Sequence, residues 1–217
     1  MIPKRFVTEY PERCMQMLEI LEPHARKRQL VGSFALMVAS SIFVIPYERM
    51  KKPHPLGGVG SEPELYQAIK RIQRQKFLES EIWGCTPSGE WRMSRILTNP
   101  NHTNSWKDKN GSHPMAEMAE NTIHDRCLEA VVRVIRNALA HGSVVYLDRD
   151  GRERPGAEVQ FLAFLSRYEE SEGQRAISET YRLVTTTEET FLSFVKAWAT
   201  WLNEFPADDR LFAAAAE

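Results

Sequence analysis

The sequence predicts a mainly α fold: an antiparallel helical bundle with a small antiparallel β-meander inserted before the last helix. Three observations predict it. Apolar residues recur at helical spacing through most of the chain. The period changes to that of strands only between about residues 143 and 185. A length of 217 residues, with 42% hydrophobic and 26% charged side chains, is enough to bury one substantial core, so residues 1–217 are read as a single domain.

The first helix is predicted from Pro11 to Arg28, with Met15, Leu18, Leu21 and Ala25 on its apolar face. The run from Leu30 to Pro46 carries no charge and is expected to be a buried helix continuing to about Lys51, because it is shorter than a membrane span and contains several glycine and serine positions. Residues 51–60 hold two prolines and three glycines and read as a loop. Ser61 is the expected cap of a third helix, with Pro63 and Glu64 in its first turn and Leu65, Ile69 and Ile72 leading toward Trp83-Gly84. The polar stretch 98–114 reads as a long exposed loop.

A long helix is predicted next, capped near Ser112 or His113 with Pro114 early, running to His141 and stopped by Gly142 as a left-handed residue. Strands follow at 143–147, 158–167 and 179–185, forming a three-stranded meander. The last helix opens on a capping box in which Thr186 reaches Glu189, and it buries Phe191, Phe194, Val195, Trp198, Trp201 and Leu202. Residues 206–217 read as a frayed tail.

The net charge of -1, from 28 basic and 29 acidic residues, argues against a surface that holds long nucleic acid through many phosphates. Any such chemistry is local. Three scattered cysteines, Cys14, Cys85 and Cys127, suggest neither a disulfide framework nor a zinc knuckle. The N-terminus lacks a secretory pattern, so a cytoplasmic protein without a membrane anchor is expected. His102, His113, His124 and Cys127 lack four-ligand spacing, and Gly57-Gly58-Val59-Gly60 has neither a preceding strand nor a following Lys-Ser/Thr pair, so no metal and no cofactor is expected.

The chemically loaded segment is Arg136-Asn137-Ala138-Leu139-Ala140-His141. At about 100° per residue, Cys127, Val131, Val134 and Ala138 form one apolar stripe and Leu128, Val132, Ile135 and Leu139 a second, as on a helix packed centrally in a bundle. The remaining arc holds Arg126, Glu129, Arg133, Arg136, Asn137 and Ala140, with His141 at its border. Arg136 and His141 project about 140° apart, so one chain makes an awkward pair, whereas two arcs facing across a two-fold axis bring both pairs to one groove. An imidazole can take or give a proton near neutral pH, and a guanidinium can hold a phosphate and its developing charge. Asn137 suits orientation of the phosphate or of one histidine tautomer, and Arg133 is a further candidate RNA contact. This is the equipment of metal-independent cleavage that uses a ribose 2′-hydroxyl, with Arg136, His141 and Asn137 as catalytic candidates and RNA as substrate.

In these residues the chain resembles the HEPN family, whose pattern is an Arg, a polar residue, three further positions and a His near the end of a central helix. The early helix pair containing Phe34-Ala35-Leu36-Met37-Val38-Ala39, the Ala140-His141-Gly142 exit into strands and the aromatic last helix resemble the plasmid-encoded HEPN group with a β-insertion. The resemblance implies a homodimeric helical bundle, an RNA-cleaving toxin or antiviral-defence effector, and an antitoxin or other regulatory protein as a further partner. Some toxin members carry a modifiable Tyr two residues after the His. Ser143 stands there in this chain, so control by adenylylation at that position is not expected. Two other classes stay open: a catalytically inactive HEPN module that binds a nucleotide or protein, and a helical scaffold whose meander docks another protein. Trp198 and Trp201 read as core or interface anchors rather than as base-stacking platforms.

Overall fold

The computed structural model describes residues 6–44, 63–84, 89–167 and 180–204. Among them the order is α1 (Phe6–Lys27), α2 (Val31–Ala39), α3 (Pro63–Ile72), β1 (Trp91–Ile96), α4 (Leu128–His141), β2 (Val144–Leu147), β3 (Phe161–Arg167), β4 (Tyr181–Thr187) and α5 (Glu188–Asn203). Helix α1 begins earlier than predicted and runs through Pro11 and Pro23, but it presents the expected face: Leu18 is buried, with Met15, Leu21 and Ala25 against the core. Helix α2 is α-helical only to Ala39, and the predicted continuation from residue 45 to about Lys51 lies outside the described residues. At Ser40 it passes into a π-helical turn, Ser40–Val44, where the Ser40 hydroxyl donates to Leu36 O at 3.0 Å and competes with the backbone ladder. Among the described residues no helix is long and apolar enough to cross a membrane. The predicted cap Ser61, the glycine-rich stretch 57–60 and the tail from Pro206 lie outside the described residues.

Helix α3 stops at Ile72, well before Trp83. Beyond it the side-chain carbonyl of Gln75 accepts from the Glu81 N–H at 3.0 Å and from the Ser80 hydroxyl at 3.1 Å, which folds the chain into two short 3₁₀ turns.

The sheet has four antiparallel strands in the order β1-β4-β3-β2, not three. The added edge strand, Trp91–Ile96, comes from a segment distant from the predicted insertion. Its sequence signal was the alternation of Trp91 and Met93 with Arg92 and Ser94. Both faces of the sheet are covered. Leu162, Phe164 and Val184 join the helical core, while Ala163, Leu165 and Leu183 join a second core with Ile96, Leu147 and Trp106. This explains why β3 and the middle of β4 are buried at consecutive residues rather than at alternate ones.

That second core overturns the reading of 98–114 as a simple exposed loop, since Trp106 is fully buried and its indole N–H donates to Pro100 O at 3.0 Å. The buried Asp108 carboxylate accepts N–H groups of Asn110, Ser112 and Glu120 at 2.8, 2.9 and 2.6 Å. Burial pushes this carboxyl up, but the three N–H donors outweigh it and hold the group below its usual range. The His113 ring lies over Trp106, takes the Met115 N–H on Nδ1 at 3.3 Å and places Nε2 3.2 Å from Thr103 O.

These contacts also remove the predicted start of the long helix. Residues 114–127 turn along β1 instead: Asn121 Oδ1 accepts from Met93 N–H at 3.1 Å, and Thr122 N–H donates to Met93 O at 2.8 Å. The exposed strand edge competes successfully for this segment. Helix α4 therefore starts at Leu128 without a side-chain cap, and its first N–H groups, of Leu128 and Glu129, donate to Gln75 O and Gln73 O at 2.8 and 3.1 Å.

Helix α2 likewise lacks a cap of its own. The Gly32 N–H donates to Glu188 Oε1 at 2.8 Å, and a Cβ at position 32 would lie 2.0 Å from that oxygen, so a larger residue here displaces the Glu188 carboxylate from its present place. Helix α5 follows β4 directly, with Thr187 rather than Thr186 as its cap: Thr187 Oγ1 accepts from Thr190 N–H at 3.1 Å, whereas Thr186 belongs to the strand and donates to Glu90 O. All six predicted apolar residues of α5 are buried.

Two outcomes are expected. Phe194→Ala, at the centre of the aromatic core, lowers unfolding free energy by about 3–5 kcal/mol in a urea titration. Burial holds the His113 pKa below its ordinary value, so the unfolded chain takes up the proton first as pH falls. The stabilisation is complete above the ordinary imidazole pKa of about 6.5 and is lost as pH falls from there through the lower folded value. The melting temperature of the native protein therefore drops across this window, and His113→Phe flattens the step.

Candidate functional site

Helix α4 packs between the sheet and the helices on both predicted stripes: Leu128, Val131, Val132, Val134, Ile135 and Ala138 are buried and Leu139 lies against the core. Cys127 stands at the N-cap and is half-buried. The polar arc is left facing outward, and its last turns carry the motif. Gly142 ends the helix with φ 66° and ψ 24°, as predicted, and both Gly142 and Ser143 donate to Ala138 O. Ser143 O then accepts from Leu165 N–H at 2.9 Å, which ties the exit of the motif to β3.

Arg136 and Asn137 are half-buried, and His141 is exposed. Arg136 Nη1 donates to Asn137 Oδ1 at 2.9 Å, and Asn137 Nδ2 donates to Ser166 Oγ at 3.0 Å. The Asn137 amide therefore uses its two ends to link the motif arginine to the sheet, and this fixes its flip state. Beside this chain of contacts a cleft of about 490 Å³ opens where β3 overruns the start of β2. Asn137, His141 and Ser143 form one side, Leu165, Ser166, Arg167 and Tyr181 another, Val144 and Val145 the apolar part, and Pro100 with Asn101 the rim. A small adjoining depression is lined by Arg133, Val134, Asn137, Ser166, Arg167 and Arg182.

The predicted residues thus separate into two groups. Asn137 and His141 share the cleft, and Arg133 stands one helical turn away in the depression. Arg136 lines neither and reaches the site through Asn137. Sequence reasoning missed Ser166, Arg167, Tyr181, Arg182 and Asn101. A basic residue closing the largely apolar β3 and another at the second position of β4 were the available signal for Arg167 and Arg182. Nothing local distinguishes Ser166. Tyr146, the nearest tyrosine after the motif, is instead engaged with Ser33 on α2, the two hydroxyls being 3.1 Å apart.

Among the described residues no cluster of three potential metal ligands occurs. Of the four residues weighed as ligands, His113 has both ring nitrogens within reach of backbone partners.

The family profile described as HEPN pEK499 p136 matches residues 1–208. The chain belongs to the HEPN family. Comparison with curated proteins and with solved structures gives no match. HEPN domains are in general of ribonuclease type, and in this HEPN protein the matched span contains the motif helix and every residue lining the cleft.

The left-handed exit at Gly142 sets where His141 stands. A Cβ at position 142 meets no atom within 4 Å, so Gly142→Ala introduces backbone strain alone. The expected result is a loss of about 1–2 kcal/mol of stability by urea unfolding, with an unchanged far-ultraviolet spectrum.

Proposed function

We propose that this HEPN protein is a metal-independent RNA endonuclease acting as a homodimer, in the role of a toxin or antiviral-defence effector. The observation that carries the reading is the exposed His141 at the mouth of a cleft that also holds Asn137, with Arg136 bonded to that asparagine.

In the proposed reaction a ribose 2′-hydroxyl attacks the adjacent phosphorus. One His141 imidazole takes the hydroxyl proton, the 5′-oxygen leaves with a proton from a second imidazole, and the products are a 2′,3′-cyclic phosphate and a 5′-hydroxyl. Arg136 offsets the charge that builds on the phosphoryl oxygens. A single α4 directs Arg136 and His141 about 140° apart, and only His141 lines the cleft. A second copy across a two-fold axis supplies the missing arginine and the second imidazole. This supports the composite site, for which Ala140, exposed between the two residues, allows close approach. Arg133 extends the phosphate contacts along the same helix. An antitoxin or other regulatory protein that covers the groove would silence such an enzyme.

The test is cleavage of labelled single-stranded and structured RNA in excess chelator, comparing the native protein with His141→Ala and Arg136→Ala at matched fold and solution mass. The expected outcome is chelator-resistant cleavage by the native protein that falls by at least about 100-fold in each variant. No cleavage across the RNA panel overturns the reading in favour of a HEPN module that binds without cutting.

A further inference from the structure

We infer that Ser166 of β3 is the positioning residue of the site: its hydroxyl fixes the Asn137 amide and, through that amide, the direction of the Arg136 guanidinium relative to His141. Calling Arg136 catalytic rests on the ribonuclease reading. The relay from Ser166 to Arg136 rests on three observations.

The first is the order of donors and acceptors. A guanidinium carries only donors, so the bond from Arg136 Nη1 to Asn137 Oδ1 at 2.9 Å obliges the amide oxygen to face the arginine. The amide nitrogen then faces Ser166, and the bond from Nδ2 to Oγ at 3.0 Å makes the serine hydroxyl the acceptor. An alanine at 166 leaves that half-buried N–H without its acceptor, and of the two side-chain bonds that hold the amide only the one to the arginine remains.

The second is the place of Ser166 on its strand. Alternate residues of β3 face α4, and Leu162 and Phe164 on that face are buried in the helical core. Ser166 is the next residue on the same face and is itself buried, so a hydroxyl stands where the apolar series would continue and where Asn137 crosses the strand. It lies beyond Phe164, which pairs with the first residue of β2, and thus in the wall of the cleft that His141 also lines.

The third is the neighbouring residue. Leu165 N–H donates to Ser143 O at 2.9 Å, two positions after His141. Consecutive residues of one strand therefore hold the two halves of the motif, the backbone of Leu165 the exit after His141 and the side chain of Ser166 the pair Asn137 and Arg136. β3 is an inner strand, hydrogen-bonded to both β2 and β4, and core strands are the last parts of a fold to open. It is a common reference for the imidazole and the guanidinium. Removing the hydroxyl leaves His141 seated and releases Arg136, so the defect falls on the chemical step more than on substrate binding.

The test uses the full isotope-labelled chain as the native protein and as three variants. Ser166→Ala removes the acceptor, Ser166→Cys keeps the size with a weak one, and Ser166→Thr keeps the hydroxyl. Two NMR signals are followed: the Asn137 side-chain amide, assigned by its loss in Asn137→Ala, and the Arg136 Nε–H, assigned by its loss in Arg136→Gln. Both are expected to shift in Ser166→Ala and Ser166→Cys and to return toward their native positions in Ser166→Thr. In an Asn137→Ala background, Ser166→Ala leaves the Arg136 signal unmoved. In RNA cleavage under chelator, Ser166→Ala is expected to lower kcat about 10–100-fold with KM within about twofold, and Ser166→Thr to recover most of the loss. Should Ser166→Ala fail to fold, Ser166→Cys carries the comparison. An Arg136 signal indifferent to the loss of the hydroxyl, or one that moves equally without Asn137, overturns the relay. So does a loss of activity that lies in KM instead of kcat. Coupled shifts in a protein that cuts no RNA keep the relay and remove the ribonuclease, whereas cleavage with an indifferent Arg136 signal does the reverse.

Discussion

The ring of Phe194 is the point on which the rest of the molecule closes. Its centroid lies 5.6 Å from that of Phe43, 5.9 Å from Phe77 and 5.7 Å from both Trp83 and Trp91, with Phe191 at 6.3 Å on its own helix. These rings come from the π-turn after α2, the two 3₁₀ turns, the edge strand β1 and the last helix. Most meet at steep or tilted angles, in which the positive edge of one ring faces the negative face of another. The cluster therefore does more than bury area. It fixes how segments far apart in the chain stand relative to one another, and the register of β1 beside β4 follows from it.

A second consequence of that arrangement is that helices complete each other. Helix α2 has its N-terminus capped by Glu188 at the start of α5, and α4 has its first N–H groups taken by the carbonyls of Gln73 and Gln75. Burial pushes the Glu188 carboxyl up while the Gly32 N–H pulls it down, so the cap is a partly desolvated one and depends on close packing. On the outer side, Arg26 bridges Glu22 and Glu189 while Lys196 holds Glu22 at 2.6 Å. Burial raises the Glu22 carboxyl, but the two cations more than offset it and the group lies below its ordinary range. Such half-exposed pairs add little stability individually, yet they hold α1 against α5 in one orientation. The motif helix is thus seated at both ends by backbone groups of other elements, which is the rigidity that a site on a helix needs.

The candidate site draws on that seating. Asn137 stands at the crossing of α4 and β3 and joins Arg136 to Ser166. A residue read from the motif as a support for phosphate or imidazole is, in the folded chain, also the connection between the motif and the sheet. The sheet in turn contributes what the motif lacks, an aromatic ring and additional guanidinium groups at the edge of the same cleft.

Local chemistry made much of this legible in the sequence. The apolar stripes of α4, the aromatic face of α5, the strands at β2, β3 and β4 and the glycine stop at 142 are each decided by periodicity or by one residue's allowed backbone angles, so they could be read without a structure. The motif residues could be read for the same reason, since their chemistry is a property of side-chain type and spacing. What failed was wherever a distant partner outcompeted a local preference. The exposed edge of β1 captured residues 121–123 and erased the predicted first turns of the long helix, Asp108 gathered three backbone donors and buried a segment that reads as polar loop, and β1 itself formed because β4 offered it an edge. Which side chains face the cleft belongs to the same class. The sequence by itself determined the helix that carries Arg136, Asn137 and His141; only the tertiary structure decided that Ser166, Arg167, Tyr181 and Arg182 stand beside it, because strand register and helix packing are set by contacts between residues tens of positions apart.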